Sequence, residues 1–260
     1  MKRLIIQVIL LSLLTVSAYA AVDLGTAADF GLLAGSTVTN TGSSVINGDV
    51  GVSPGSAVTG FYPDGIVNGN LYLAANAITA QAQLDLGVAY GVAAGAASTA
   101  ALPGSVGTLS LAPGVYTFSS DALLTGVLTL EGNGDSTAQW IFQIPTALTT
   151  NPGSSVMLTN GATKCQVFWQ VGSSATIAES TFVGTIMADQ SISLGGGILY
   201  GRALAMNAAV TISKAETVYA DPCSPTPPTA VPEASTLIGF GSALALTGPG
   251  LLGWLRRRRA

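Results

Sequence analysis

The chain has 260 residues, of which 48% are hydrophobic and only 8% are charged, with two cysteines and no histidine. The missing histidine argues against histidine-based catalytic triads and the common zinc sites, and nothing in the composition suggests a metal or another cofactor. Residues 21–230 carry three basic side chains against twelve acidic ones, a net charge of −9. Nucleic acid is therefore excluded as a partner, because phosphate binding needs clustered Lys and Arg.

The N-terminus has the layout of a secretory signal peptide. Lys2 and Arg3 precede an apolar run over residues 4–16, and small residues at Ala18 and Ala20 form a cleavage site for signal peptidase. We expect residues 1–20 to be removed and the mature chain to begin at Ala21. The alternative is a permanent N-terminal anchor, but the apolar run is shorter than the ~20 residues that a membrane span needs.

The C-terminus resembles a PEP-CTERM sorting signal. Val231, Pro232 and Glu233 precede an apolar segment over residues 237–255, and four arginines follow at 256–259. The resemblance implies a membrane span with its basic end in the cytoplasm, cut by an exosortase-type enzyme in a Gram-negative-type bacterium. Ala234 stands where that family has a second proline. A plain C-terminal membrane anchor is the alternative for residues 231–260, and the Pro-rich residues 221–230 are predicted to be a semi-rigid linker.

The body of the chain contains an internal repeat. Three stretches, 168–184, 185–201 and 202–220, align at steps of 17 and 18 residues, and looser copies precede them. A step of this length predicts one coil of a three-sided β-solenoid. The segments around residues 36–39 and 56–59 are predicted to form further coils near the N-terminus.

One face of this solenoid is predicted to be covered by a helix. The first strand of each coil is apolar in both phases, which is typical of strands that are buried on both sides. The alanine-rich residues 73–98 contain no proline and place Leu71, Ala74, Ala75, Ile78 and Ala82 at helical spacing, with Asp85 continuing the series. We therefore predict one long helix over about 73–98, fraying near residues 87–95.

A second face is predicted to present hydroxyl groups. If Ile177, Leu194 and Ile212 point inward, alternation along each strand turns their neighbours outward. The predicted outward set is Thr37, Thr39, Thr59, Thr125, Thr149, Ser174, Thr176, Ser191, Ser193 and Thr211.

Two cysteines in an exported chain suggest one disulfide, between Cys165 and Cys223. The repeat places them about three coils apart, roughly 14 Å, which is too far for a bond unless the segment after the last coil folds back. The sequence leaves this pairing open.

The chain resembles the microbial ice-binding protein family. The similarity is carried by residues 22–27, 30–35, 46–55, 111–116, 140–144, 167–172 and 201–205. The resemblance implies a mainly β fold, a discontinuous three-sided β-solenoid (β-helix) over 21–220 with one long α-helix packed along one face. It also implies a secreted or surface-displayed monomer that adsorbs to ice or ordered water through the hydroxyl residues, as an antifreeze or recrystallisation inhibitor.

Two other functions are compatible with a β-solenoid. An enzyme is not expected, because the acids Asp121, Glu131, Asp135, Glu179, Asp189 and Glu216 fall mainly at predicted corners and do not converge in a groove. The other alternative is a structural or adhesive cell-surface or extracellular-matrix protein on the same scaffold, in contact with exopolysaccharide and without ice activity.

Overall fold

The structure, a computed structural model, describes residues 21–220. This stretch contains the α-helix α1 (Ala77–Gly95) and the 3-10 helices Gly25–Asp29 and Lys164–Gln166. Its strands are β1 (Phe30–Ala34), β2 (Thr37–Asn40), β3 (Val45–Asn47), β4 (Asp49–Val52), β5 (Ala57–Thr59), β6 (Ile66–Val67), β7 (Ala100–Leu102), β8 (Ser105–Val106), β9 (Leu109–Leu111), β10 (Gly114–Phe118), β11 (Ala122–Leu124), β12 (Val127–Glu131), β13 (Trp140–Ile144), β14 (Leu148–Thr150), β15 (Ser155–Thr159), β16 (Val167–Val171), β17 (Ala175–Ile177), β18 (Ser180–Ala188), β19 (Ile192–Leu194), β20 (Gly197–Ala205), β21 (Val210–Ile212) and β22 (Glu216–Tyr219).

The strands wind into coils with three faces, and neighbouring coils pair in parallel. The helix-covered face consists of β1, β4, β7, β10, β13, β16 and the second halves of β18 and β20. The hydroxyl face is the eight-stranded sheet β5-β2-β21-β19-β17-β14-β11-β8. The third face consists of β3, β6, β9, β12, β15, β22 and the first halves of β18 and β20. The predicted mainly β solenoid with one helix along a face is therefore confirmed.

The predicted repeat of 17 and 18 residues matches the register in which neighbouring coils pair. Ile177 pairs with Leu194, and Leu194 pairs with Ile212. On the helix-covered face Phe168 pairs with Thr185 in the same way. Residues one repeat apart therefore lie side by side on adjacent strands.

The coils are not stacked in chain order. The first coil, β1 to β3, packs against the last coil, β20 to β22: Leu32 pairs with Ala203 and Val45 pairs with Thr217. We call the contact between these two coils the seam. The coil β4 to β6 closes that end of the solenoid, and α1 leads the chain back toward the coil β7 to β9 at the other end.

Aromatic side chains form a continuous stack inside the solenoid. Phe142 and Trp169 are stacked with ring centroids 4.0 Å apart, Tyr116 stacks on Phe142 at 5.7 Å, and Phe182 lies 4.9 Å from Trp169. All four are buried. Each ring pair contributes about 0.5–1.5 kcal/mol beyond the burial of its area, so this stack ties successive coils together.

The helix is shorter than predicted and uses a different buried side. It begins after Asn76, whose side chain accepts hydrogen bonds from the backbone N–H groups of Ile78 and Thr79, while the Thr79 hydroxyl accepts one from the Asn76 N–H. This capping box fixes the first helical residue at Ala77, four residues after the predicted start. The helix continues without a break through residues 87–95, so the predicted fraying is wrong.

The helix packs on the solenoid through small and medium-sized side chains. Its buried residues are Thr79, Ala82, Leu86, Ala89 and Ala93. Of the predicted contact residues only Ala82 is buried; Ile78 is 51% exposed, Leu71, Ala74 and Ala75 are exposed and precede the helix, and Asp85 is half-buried. The prediction failed because this helix is apolar on every side, so hydrophobic spacing did not mark the packed side.

Polar side chains of the solenoid fix the position of the helix. The Gln143 side-chain amide donates to the carbonyl oxygens of Ala93 and Ala96, both at 2.8 Å, at the C-terminal end of α1. The Gln170 amide donates to the Tyr90 hydroxyl at 2.8 Å. These bonds satisfy groups that would otherwise be buried without partners between the helix and the sheet.

Several predicted features fall outside the described residues. They are the signal peptide at 1–20, the linker at 221–230, the sorting segment at 231–260 and Cys223. Cys165 is part of a disulfide, and Cys223 is the only other cysteine in the sequence. Between residues 21 and 220 no helix is long and apolar enough to cross a membrane.

One corner of the solenoid can be built only from glycine. Strands β18 and β20 bend from the third face to the helix-covered face at Gly184 and Gly201, which pair with each other and have φ of +112° and +157°. A Cβ atom on Gly201 would lie 1.9 Å from the carbonyl oxygen of Gly184. Any side chain there would push two coils apart.

We predict that Gly201→Ala lowers the free energy of unfolding by at least about 2 kcal/mol, because the backbone must move to admit the methyl group. Gly87→Ala is the matched control, since Gly87 lies in α1 and a Cβ atom on it would meet no other atom within 4 Å. It should instead raise stability by about 0.5–1 kcal/mol through helix propensity. Urea unfolding measures both, and equal effects of the two variants would contradict the prediction.

Candidate functional site

The hydroxyl face carries an in-register row of small hydroxyl side chains. Thr39 pairs with Thr59 on one side and with Thr211 on the other. The pairing continues from Thr211 to Ser193 and from there to Thr176. Thr149 pairs with Thr176 and completes the set, which we call the central row: Thr59, Thr39, Thr211, Ser193, Thr176 and Thr149.

A buried side chain directly before each hydroxyl residue holds the central row outward. Val38, Val210 and Ile192 precede three of its members and are fully buried, because alternate residues of a strand face opposite sides. Thr59, Thr149, Thr176 and Ser193 are exposed, and Thr39 and Thr211 are half-buried. At about 4.8 Å between strands, the row is roughly 24 Å long.

The hydroxyl groups of the central row are free to bind other molecules. None of the six forms a side-chain hydrogen bond with any residue in the described part of the chain. Threonine loses little rotamer freedom when its hydroxyl group is fixed, because its branched Cβ already restricts χ1. The row is therefore a regular, preorganised set of donors and acceptors.

A second outward position lies two residues before the central row. It contains three of the predicted residues, Thr37, Ser174 and Ser191, all half-buried. The hydroxyl groups of Ser174 and Ser191 lie 2.9 Å apart and are hydrogen-bonded, and the Ser191 N–H also donates to Ser174. These two hydroxyls have part of their hydrogen-bonding capacity occupied within the protein, unlike those of the central row.

Thr125 does not belong to the central row. Leu123 pairs with Thr149, so Thr125 lies two residues further along, at the corner after β11. Its hydroxyl donates to the carbonyl oxygen of Val106, and the hydroxyls of Thr41 and Ser213 donate to backbone carbonyls in the equivalent way. Each of these carbonyls also accepts the N–H of the same residue, so Thr125 is exposed but lies outside the central row.

Leu123 interrupts the line of hydroxyl residues beyond Thr149. This half-buried leucine continues the row beyond Thr149, and Ser105 on the next strand follows it. Ser105 was missed by the sequence prediction, although it precedes Leu123 by 18 residues, one repeat. The steps from Leu123 to Thr149 and to Thr176 are longer because of insertions before β13 and β16, which hid this part of the register.

The hydroxyl face has little charge. Asp121 lies at its edge, where the Thr146 hydroxyl and the Ala147 N–H, at 3.1 Å, donate to its carboxylate. These hydrogen bonds lower the pKa of Asp121. The central row itself contains no ionisable group, so its hydrogen-bonding pattern does not change with pH.

These features define a class of protein. The chain is a β-solenoid with a covering helix, a seam between its first and last coils, and one uncharged face of regularly spaced hydroxyl groups. Such a face can bind a partner whose surface groups repeat at the same spacing.

The chain belongs to the family described as Ice-binding-like, whose model matches residues 32–218. It is similar to an ice-binding protein of Nostoc sp. (strain HG1), with 47% identity over 236 residues that cover 89% of this chain and 84% of that protein. Among solved structures it is similar to an ice-binding protein from an Antarctic biological consortium, with a TM-score of 0.73, 41% identity and coverage of 76% of this chain and 90% of that chain. The ice-binding protein of Antarctomyces psychrotrophicus gives a TM-score of 0.72 at 38% identity, covering 76% and 98%.

Proposed function

We propose that this protein binds ice through the hydroxyl face and has no catalytic activity. The observation that carries the proposal is the central row: six in-register hydroxyl groups without partners inside the described part of the protein, on the scaffold of the ice-binding family. Strands about 4.8 Å apart, with outward residues about 6.7 Å apart along each strand, give a grid on the scale of ice-lattice spacings.

The chemistry of the row suits a surface of ordered water. Each hydroxyl can donate one hydrogen bond and accept others, so it can replace a water molecule at the edge of a lattice. Each threonine methyl group favours ordered water around it. Because binding fixes few side-chain torsions, many weak contacts can add up along the row.

The direct test is the behaviour of residues 21–230, which contain every described coil and both apolar cores. We expect inhibition of ice recrystallisation and measurable thermal hysteresis from the purified protein. No ice shaping, hysteresis or inhibition at high concentration would refute the proposal and favour a structural or adhesive surface role.

We predict that Thr176→Tyr and Thr211→Tyr each remove most of the ice activity, because a bulky ring lifts the ice surface off the neighbouring hydroxyls. Stability should change by about 0.5 kcal/mol or less, since both side chains point outward. Thr181→Tyr is the matched control: Thr181 is an exposed strand residue on the third face. If the control lost as much activity as the two variants, the hydroxyl face would be the wrong surface.

We predict that Leu123→Thr increases ice activity, because it joins Ser105 to the central row and extends the row from six members to eight. The expected loss of stability is about 1 kcal/mol or less for a half-buried surface leucine. Leu84→Thr, on the exposed side of α1, is the control for the loss of one surface leucine. Recrystallisation assays at equal concentrations compare the two, and an unchanged Leu123→Thr variant would show that the row ends functionally at Thr149.

We also propose that the protein is exported by its signal peptide and carried to the cell surface or released by processing near Val231, Pro232 and Glu233. The support is the order of leader, body, apolar segment and arginines in the sequence. The partners in this scheme are signal peptidase and an exosortase-type enzyme, with exopolysaccharide around the displayed monomer.

Mass spectrometry of the protein from its native host tests this scheme. We expect an N-terminus at Ala21 and a C-terminus near residue 233. Replacing Val231, Pro232 and Glu233 by alanine should leave the C-terminal segment attached. An intact C-terminus in the wild-type protein would instead favour a permanent anchor.

A further inference from the structure

One ionisable group lies inside the solenoid where the sequence predicted a solvated corner. Glu216, the first residue of β22, is 3% exposed, so that expectation was wrong. One carboxylate oxygen accepts a hydrogen bond from the Gly196 N–H, and the other, Oε2, has no partner in the described residues. Burial raises the pKa of Glu216 to about 7, and the hydrogen bond from Gly196 lowers it by a smaller amount.

A second orphaned polar group lies on the same inner side of the third face. Ser180 is 8% exposed, and its hydroxyl group also lacks a partner among residues 21–220. Ser180 pairs with Gly197, and Gly197 pairs with Glu216, so a residue without a side chain separates the two. Neither group has a hydrogen-bond partner in the described residues, although buried polar groups nearly always have one.

Glu216 is also connected to the seam. Its N–H donates to the Ser44 hydroxyl at 3.2 Å, and that hydroxyl donates to the Asn40 side chain at 2.8 Å. The Asn40 amide then donates to the carbonyl oxygen of Gly60 at 2.9 Å. This chain of bonds runs from the last coil through the first coil into the coil β4 to β6.

The other charged groups near Glu216 do not neutralise it. Lys214 and Glu179 flank the same corner and pair with each other at 3.5 Å on the surface, with 65% and 68% of their side chains exposed. Strand β3 across the seam contributes no ionisable residue. An ionised Glu216 would therefore be a buried charge without a counter-ion, which is strongly unfavourable.

We propose that the docking of the N-terminal coils at the seam depends on the protonation of Glu216: its neutral carboxyl group stays buried, and its ionisation weakens that docking. To reach water the carboxylate must turn outward, which displaces the start of β22 from Ser44. Asn40 follows Thr39 of the central row in β2, so the same movement separates Thr39 from Thr211. The inference about stability does not depend on ice binding.

The direction of the pH effect follows from the pKa. The folded-state pKa of about 7 lies above the ordinary value of 4.5, so between these values the folded protein holds a proton that the unfolded chain has released. The stability from this group is fully present below pH 4.5 and is lost as the pH rises through about 7. The corresponding increase in the unfolding equilibrium constant is on the order of a hundredfold.

Urea unfolding of residues 21–230 between about pH 4.5 and about pH 8 tests the proposal. Glu216→Gln keeps the neutral shape at every pH, so its unfolding constant should lack that rise, and it should be more stable than the wild type at the upper end of the range. Glu179→Gln, an exposed glutamate at the same corner, is the control and should follow the wild-type profile. Parallel profiles for the wild type and Glu216→Gln would overturn the proposal.

A second measurement distinguishes the seam from a general loss of stability. Amide hydrogen exchange, corrected for its intrinsic pH dependence, should show lost protection in β2 and β3 between about pH 5.5 and about pH 8, with β16 and β17 unchanged. Uniform loss of protection across all the strands would overturn the proposed role.

Discussion

The parallel, in-register pairing of coils is the constraint on which the rest of this structure depends. Each strand hydrogen-bonds to the equivalent strand of the next coil, so any feature at one position of a coil is repeated about 4.8 Å away in its neighbour. Trp169 stacks on Phe142 inside the solenoid for this reason, and Thr176 stands beside Thr149 outside it. A regular core and a regular surface are two results of the same register.

The same constraint explains the distribution of polar groups. On the outer side of the hydroxyl face, each threonine can leave its hydroxyl to solvent because the backbone is already satisfied by the neighbouring strands. At the corners, the hydroxyls of Thr41, Thr125 and Ser213 bond instead to backbone carbonyls that also accept the N–H of the same residue. Identical residue types therefore divide into surface and structural roles according to their position in the coil.

Much of this architecture is readable from the sequence because the repeat is local. The 17 and 18 residue steps predict the pairing of Ile177, Leu194 and Ile212, since each step returns the chain to the same face. The step from Leu123 to Thr149 is longer because of an insertion before β13, which hides the position of Thr125 relative to the central row. The helix was placed on the correct face, but its contacts were not predictable because Ile78 and Ala82 are both apolar. The burial of Glu216 could not be predicted because β22 packs beside β3 of the first coil, which lies far away in the sequence.

The seam has a consequence for how the molecule is made. Thr39 and Thr211 are neighbours in space but are separated by most of the chain, so their pairing requires the closure of a very long loop. The first two coils have no strand edge to dock on until the last coil exists, and long-range pairing of this kind is slow. We expect a newly synthesised chain to remain without a complete binding surface until its final strands have emerged. A truncated chain that lacks the last coil would therefore lack Thr211, the partner of Thr39 across the seam.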